Sequence, residues 1–190
     1  EAESSHNLPT ELQAPAPFPQ WAQLAARLST VDKLPSGALH TAPSRLNVDV
    51  PGRKWQQIEA FGGALHFARR PTHWLDWCAG KGHLGRRLLQ PGQGLTCLEY
   101  DPTLSAAGQA LSDHHQMSAR HRQQDVMAES AVQQLTDKHT PVALHACGDL
   151  HVRLLHLASA TGCPHLAVAP CCYNRICSEQ YQALSTPARA

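Results

Sequence analysis

The sequence predicts an α/β domain built on a doubly wound, mostly parallel sheet with helices on both faces. Three observations carry that expectation. From Pro71 onward, short apolar runs alternate with stretches of helical periodicity, the pattern of repeated β-α-β units. A glycine-rich turn, Gly80-Lys81-Gly82-His83-Leu84-Gly85, falls where the first apolar run gives way to a helix. Glu99 ends the next run, about 20 residues further on, as a nucleotide-binding β-α-β unit requires.

The elements follow in order. Residues 1–20 hold Pro9, Pro15, Pro17 and Pro19 among small and polar residues, a composition that removes backbone donors and predicts an extended tail. Trp21, Leu24, Ala25 and Leu28 recur at helical spacing before Pro35-Ser36-Gly37, and predict a short helix. Trp55, Ile58, Phe61 and Leu65 predict a second helix over residues 55–67, closed by Arg69-Arg70-Pro71. Residues 21–70 thus form a helical extension. Strands are expected over 73–79, 94–100, 121–126, 141–146 and 165–169. Helices are expected over 84–89 and 128–135, from Asp101-Pro102 through Leu111, and around Leu150, Leu154, Leu155 and Leu157. Asp101 before Pro102 is an N-cap with proline at the first helical position. Such a sheet binds ligands beyond the carboxyl ends of its strands, so the residues just after each strand are the candidates.

Composition bounds what those residues do. A chain of 190 residues has room for one α/β domain with a lead-in. With 42% apolar and 16% charged residues it supports a packed core, which excludes a disordered or low-complexity class. The formal charge is +1, so no global field steers the chain onto nucleic acid and any such contact needs a local patch. Arg69, Arg70, Lys81, Arg86, Arg87, Arg120 and Arg122 are the candidates for one. Seven cysteines at irregular spacing fit reduced thiols and a cytoplasmic location. No apolar run approaches the roughly 20 residues of a bilayer span, and no membrane contact is expected.

Asp76 lies at the end of the first strand, ahead of the glycine turn. Its carboxylate would repel a pyrophosphate and favour a ligand carrying an ammonium and a sulfonium; S-adenosylmethionine is such a ligand. Glu99 suits the ribose of that ligand or of a nicotinamide dinucleotide equally well.

Leu75-Asp76-Trp77-Cys78-Ala79-Gly80-Lys81-Gly82-His83-Leu84-Gly85 resembles motif I of the class I S-adenosylmethionine-dependent methyltransferases, with Cys78 where a first glycine is usual. Leu144-His145-Ala146-Cys147-Gly148-Asp149-Leu150 and Ala169-Pro170-Cys171-Cys172-Tyr173 resemble a branch of methyltransferase-like domains with H-x-C-G-D-L and C-C-Y-H signatures. That branch is related to RNA-modifying proteins, among them a tRNA 2′-O-methyltransferase group. The resemblance spans about residues 53–180 and implies a Rossmann-like fold, with residues 71–190 as the S-adenosylmethionine-binding methyltransferase domain. It implies that Asp76, Gly80 and Gly82 hold the methionine end of the cofactor, with Cys78 and Ala79 beside them. It places Glu99 and Tyr100 at the ribose, and Asp125 and the Val126 amide at the adenine.

Methyl transfer is an in-line displacement, accelerated mainly by alignment. A hydroxyl or protonated amine acceptor also needs a base, and His145, which also borders the cofactor, Asp149 and Tyr173 are the candidates for catalytic roles. Asp149 reads equally as an N-cap. The Asn/Asp-Pro-Pro-aromatic motif of many amino-group methyltransferases is absent after the fourth strand, and Asn174 stands where the branch has His. The acceptor stays open, with RNA ahead of protein. Cys147, Cys171, Cys172 and Cys177 with His145 and His151 offer zinc ligands. No C-x-x-C pair occurs and adjacent cysteines chelate one ion awkwardly, so no metal is expected. The competing readings are a non-catalytic cofactor-binding module and an NAD-dependent oxidoreductase. A typical methyltransferase ends in an antiparallel strand pair, for which little sequence remains after Tyr181. With Glu1 in place of a starting Met, a piece of a longer protein, completion by a partner, or an incomplete domain lacking its last strands is expected.

Overall fold

The computed structural model describes residues 14–30, 34–172, 174–180 and 182–189. It divides into two compact units, Glu1–Pro35 and Ser36–Ala190. In the first, helix α1 (Phe18–Ser29) carries the Trp21, Leu24 and Leu28 periodicity. It begins inside the stretch expected to be extended, because proline in a helix's first turn forfeits no hydrogen bond.

In the second unit, α2 (Gly52–Gly63) precedes β1 (His73–Trp77), α3 (His83–Leu88), β2 (Gly94–Glu99) and α4 (Pro102–His114). The chain continues through β3 (Ala119–Gln123), a 3-10 turn (Glu129–Gln134), β4 (His139–Cys147), α5 (Asp149–Ala160) and β5 (Ala167–Cys171), and α6 (Thr186–Arg189) follows. The five strands form one parallel sheet in the order β3-β2-β1-β4-β5. The order reverses between β1 and β4, which makes their carboxyl ends the ligand crevice of the fold.

Strand alternation divides the core into two layers. Leu75 and Trp77 of β1, Leu98 of β2 and Ala143 of β4 face one side, where Leu154 and Leu157 of α5 cover them. Trp74, Leu95, Cys97 and Val142 face the other, under Leu84 and Leu88 of α3 and Ile58 of α2. Asp76 shares the parity of Trp74 and therefore enters this second layer. Asp101 caps α4 as the sequence predicts: its side chain accepts from the Thr103 amide at 2.7 Å and the Leu104 amide at 3.3 Å.

Three boundaries differ from expectation. The helix expected over 128–135 is a 3-10 turn, closed by i→i+3 bonds from the Ala131 amide to the Ala128 carbonyl at 3.1 Å and from the Leu135 amide to the Val132 carbonyl at 3.3 Å. β3 ends at Gln123, and Val126 falls into the core beyond it. α2 stops at Gly63, where the Gly37 amide donates to the Gly63 carbonyl at 2.7 Å.

Gly82, the residue preceding α3, has φ +72°, and a Cβ there would lie 2.5 Å from His121 Cε1 and 2.9 Å from Cys97 Sγ. Gly82→Ala is expected to combine left-handed strain with overpacking and destabilise the fold by about 2–4 kcal/mol. Thermal denaturation should show a Tm lowered by roughly 4–16 °C. Adding His121→Ala should lower it by less than the sum of the two single changes.

Candidate active site

The turn after β1 is held by its own backbone and by one carboxylate. Cys78, Gly80 and Gly82 all take positive φ, at 56°, 56° and 72°. The Ala79 amide donates to the Leu98 carbonyl at 2.9 Å, and the Gly82 amide to the Ala79 carbonyl at 2.8 Å. Glu99, at the end of β2, accepts from the Gly80 amide at 2.7 Å with one oxygen and from the Asp101 amide at 3.0 Å with the other. It therefore staples the glycine turn to the start of α4. Two carboxylate oxygens offer about four acceptor positions, so capacity for ribose hydroxyls remains.

Asp76 is 2% exposed. Its Oδ2 accepts from the Gly85 amide at 2.8 Å, and among the described residues no cationic side chain lies within ion-pair distance of it. Burial pushes its pKa up to about 7, against the Gly85 hydrogen bond and the charges of Arg86 and Lys54. Burial likewise pushes the Cys78 thiol up to about 12, with Glu99 and Asp76 adding to the effect.

A cavity of about 190 Å³ opens here. Its walls include Asp76, Cys78, Ala79, Gly80, Glu99 and His145, six of the residues expected to hold the cofactor. Lys54 and Ile58 of α2, His83 and Leu84 of α3, and Leu144 of β4 complete it. The sequence reading missed these five; the spacing of Lys54 and Ile58 at i,i+4 shows only that they share one face of α2. Burial lowers the His83 pKa to about 4, with Arg86 adding to the effect, so the ring is neutral at pH 7 and its Nδ1 accepts from Arg86 Nη2 at 3.1 Å.

The other expected site residues are not among those that line this cavity. Gly82 is packed against His121, Tyr100 is 70% exposed, and Val126 sends its side chain into the core. Asp125 is exposed and accepts from the Met127 amide at 2.9 Å, the turn-forming role of a loop aspartate. Asp149 is the first residue of α5; its Oδ2 accepts from the Cys177 amide at 2.7 Å, fastening the chain after β5 across the end of β4. Tyr173 lies outside the described residues. The proposed basic patch is corrected at two positions. Arg86 is 1% exposed, bound to Gly108 O, Ser112 Oγ and His83, and Arg87 is 4% exposed in an ion pair with Glu59. Both guanidinium groups serve the core of the fold.

β4 carries an irregularity between Leu144 and Cys147. Val142 and Leu144 pack in one layer and Ala143 and Ala146 in the other, so the alternation slips by one residue at His145. That residue takes φ +65°. The slip turns His145 toward α2, where its Nε2 donates to Gln57 Oε1 at 3.0 Å. His151 is turned elsewhere, its Nδ1 lying 3.1 Å from the Ala146 carbonyl. Cys147, Cys171 and Cys172 converge beyond the sheet.

Five parallel strands in this order, helices on both faces, and a glycine turn with an acid at the end of β2 define a Rossmann-like fold of the class I methyltransferase type. Residues 53–179 match a family model described as a methyltransferase domain, and the chain belongs to that family. Similar solved structures include the bifunctional kinase-methyltransferase WbdD, at 18% identity over 49% of this chain and 19% of that one, with TM-score 0.35. A co-crystal of WbdD with a kinase inhibitor matches at 16% identity over 73% of this chain and 31% of that one, with TM-score 0.36. A Corynebacterium glutamicum protein matches at 13% identity over 86% of this chain and 70% of that one, with TM-score 0.42. The matches span about a fifth to a third of the WbdD chains. No curated protein matches it. Among the described residues, no helix is long and apolar enough to cross a membrane.

Glu99→Gln replaces one accepting oxygen by an NH₂ group and leaves one of the two amides facing a donor. The expected loss is about 1–2 kcal/mol. Hydrogen exchange at the Gly80 or Asp101 amide should accelerate roughly 5- to 30-fold, the factor corresponding to about 1–2 kcal/mol of local opening.

Proposed function

We propose that the domain transfers a methyl group from S-adenosylmethionine to a hydroxyl of RNA. The observation that carries the donor assignment is the buried Asp76 carboxylate, bonded among the described residues to one amide and to no cation, in the wall of a cavity beside the Gly80 turn. A buried carboxylate without a cationic partner is costly, and a cationic ligand offsets that cost. A pyrophosphate would add to it. The cavity volume of about 190 Å³ falls below the range of roughly 300–1,000 Å³ for whole small-molecule sites. It suits the amino-acid end of the donor. At Gly80 an added Cβ would meet nothing within 4 Å, so the backbone there is open to a ligand that continues toward Glu99.

When bound, the donor supplies an electrophilic methyl on a sulfonium with a neutral thioether as leaving group. The chain supplies placement and a proton acceptor. His145 donates through Nε2 to Gln57, which leaves Nδ1 as the basic nitrogen. Its position at the cavity wall supports removal of a hydroxyl proton as the oxygen attacks. The missing amino-group motif after β4 favours that hydroxyl. RNA as acceptor is supported by the exposed Lys54 and Lys81 at the cavity and the glycine turn, and by the kinship of the sequence motifs.

The Asp76 pKa sets a pH dependence. Between about pH 4 and 7 the native state holds a proton on Asp76 that the unfolded state has lost, so this group's contribution to stability falls as pH rises through that window and is flat above it. The ligand cation needs the ionised form. Calorimetric titration is expected to show donor affinity rising toward tenfold per pH unit below about pH 7 and levelling above. Asp76→Asn should weaken binding at least roughly tenfold at pH 8, equivalent to about 1.4 kcal/mol, and abolish the slope. Unchanged affinity in Asp76→Asn would overturn the assignment.

His145→Ala should act chiefly on the other parameter, lowering kcat by roughly 10²–10⁴ with a much smaller loss of donor affinity. Transfer of labelled methyl from the donor into total RNA, protein extract and small-molecule pools identifies the acceptor. Label in RNA that declines with added salt is expected; label confined to another pool overturns RNA.

A further inference from the structure

We propose that the thiols of Cys147, Cys171 and Cys172 form a zinc(II) site at the carboxyl ends of β4 and β5. The three sulfurs lie within 4.8 Å of one another, and Cys147 Sγ is 3.1 Å from Cys171 Sγ. Sulfurs bound to one tetrahedral zinc at about 2.3 Å stand roughly 3.8 Å apart, inside the observed spread. All seven cysteines are free thiols, so none of the three is committed to a disulfide.

The backbone explains how adjacent cysteines share one centre. Successive side chains of a strand point to opposite faces, which is why Cys171-Cys172 looks unsuited to chelation in the sequence. β5 ends at Cys171, and Cys172 takes φ +49°. That left-handed turn breaks the alternation and brings the second sulfur round to the first. Cys147 arrives from the other strand, paired with Cys171 in register just after the slip at His145. His145 and Cys172 are both non-glycine residues at positive φ, a conformation costing roughly 1–2 kcal/mol each, and they flank the cluster on the two strands.

Cys147 and Cys171 are half-buried and Cys172 is exposed, which gives an ion a path in. Arg175 acts electrostatically on Cys147 and offsets the negative charge that three thiolates leave on one divalent ion. Three protein ligands leave a fourth position for water, the composition of an open zinc site. Binding converts three thiols and one Zn²⁺ into a tristhiolate complex, releases up to three protons and involves no redox change.

The test uses the reduced full chain. Cobalt(II) titration should give one equivalent with a thiolate-to-metal charge-transfer band, and zinc(II) should displace it in competition with a chromophoric chelator. Cys147→Ser and Cys171→Ser should each weaken zinc binding at least a hundredfold, while Cys163→Ser and Cys177→Ser leave it within twofold. Absence of stoichiometric metal uptake by the unaltered reduced chain overturns the proposal whether or not the variants fold. Uptake that survives loss of both Cys147 and Cys171, or that depends on Cys177, overturns it too. So does a reduced chain that takes no metal and instead forms a Cys147–Cys171 disulfide with peroxide.

Discussion

The burial of Asp76 constrains everything around it. Strand alternation gives β1 no choice: with Leu75 and Trp77 in one apolar layer, Trp74 and Asp76 must face the other. There the carboxylate lies among Leu84, Leu95 and Cys97, and among the described residues its one hydrogen bond comes from the Gly85 amide. The bond is available only if α3 starts directly over the end of β1. That in turn forces the chain between Trp77 and His83 into a tight turn, with positive φ at Cys78, Gly80 and Gly82. The ligand crevice is thus a consequence of where one acidic side chain is put.

Opposite charge reaches the same layer from Arg86, 1% exposed, whose guanidinium ties the glycine turn and α4 together through Lys81 O, Gly108 O and Ser112 Oγ. Arg86 favours the ionised form of Asp76, yet desolvation still prevails and the carboxyl pKa rises to about 7. The two groups of opposite sign form no ion pair among the described residues, and Arg86 is committed to neutral acceptors. That leaves Asp76 with the Gly85 amide and a place in the wall of the cavity.

The fold was legible because its signals are local. Apolar runs, the Asp101 cap and the glycine turn each have a short-range cause, and the strand-end rule led to Asp76, Gly80, Glu99 and His145, which line one cavity. Burial of charged side chains was not legible. Arg86 and Arg87 look like a basic surface in sequence, and only the approach of His83 and Glu59 reveals that both are internal. Lys54, Ile58 and Gln57 were missed because α2 precedes the sheet in sequence, and nothing local shows that its face folds back over β4. Asp149 was read as a cap or a base; its partner, the Cys177 amide, lies beyond the next strand.

The slip at His145 lets the end of β4 serve both proposed sites. In an unbroken pleat His145 and Cys147 would share the face of Ala143, and Ala146 would face the layer of Val142. Instead Ala146 joins Ala143, the extra residue is His145, and its ring reaches Gln57 of α2. Bulges of this kind re-aim side chains beside active sites. One inserted residue directs the imidazole to the cavity on the α2 side and leaves Cys147 aligned with Cys171 of β5. The His145 imidazole and the thiol cluster can serve separate surroundings, two residues apart, because the strand stops being a regular strand between them. Restoring the regular pleat by deleting His145 would remove the proposed base and also shift Cys147 relative to β5, so the two proposed sites are coupled through backbone register even though neither borrows a side chain from the other.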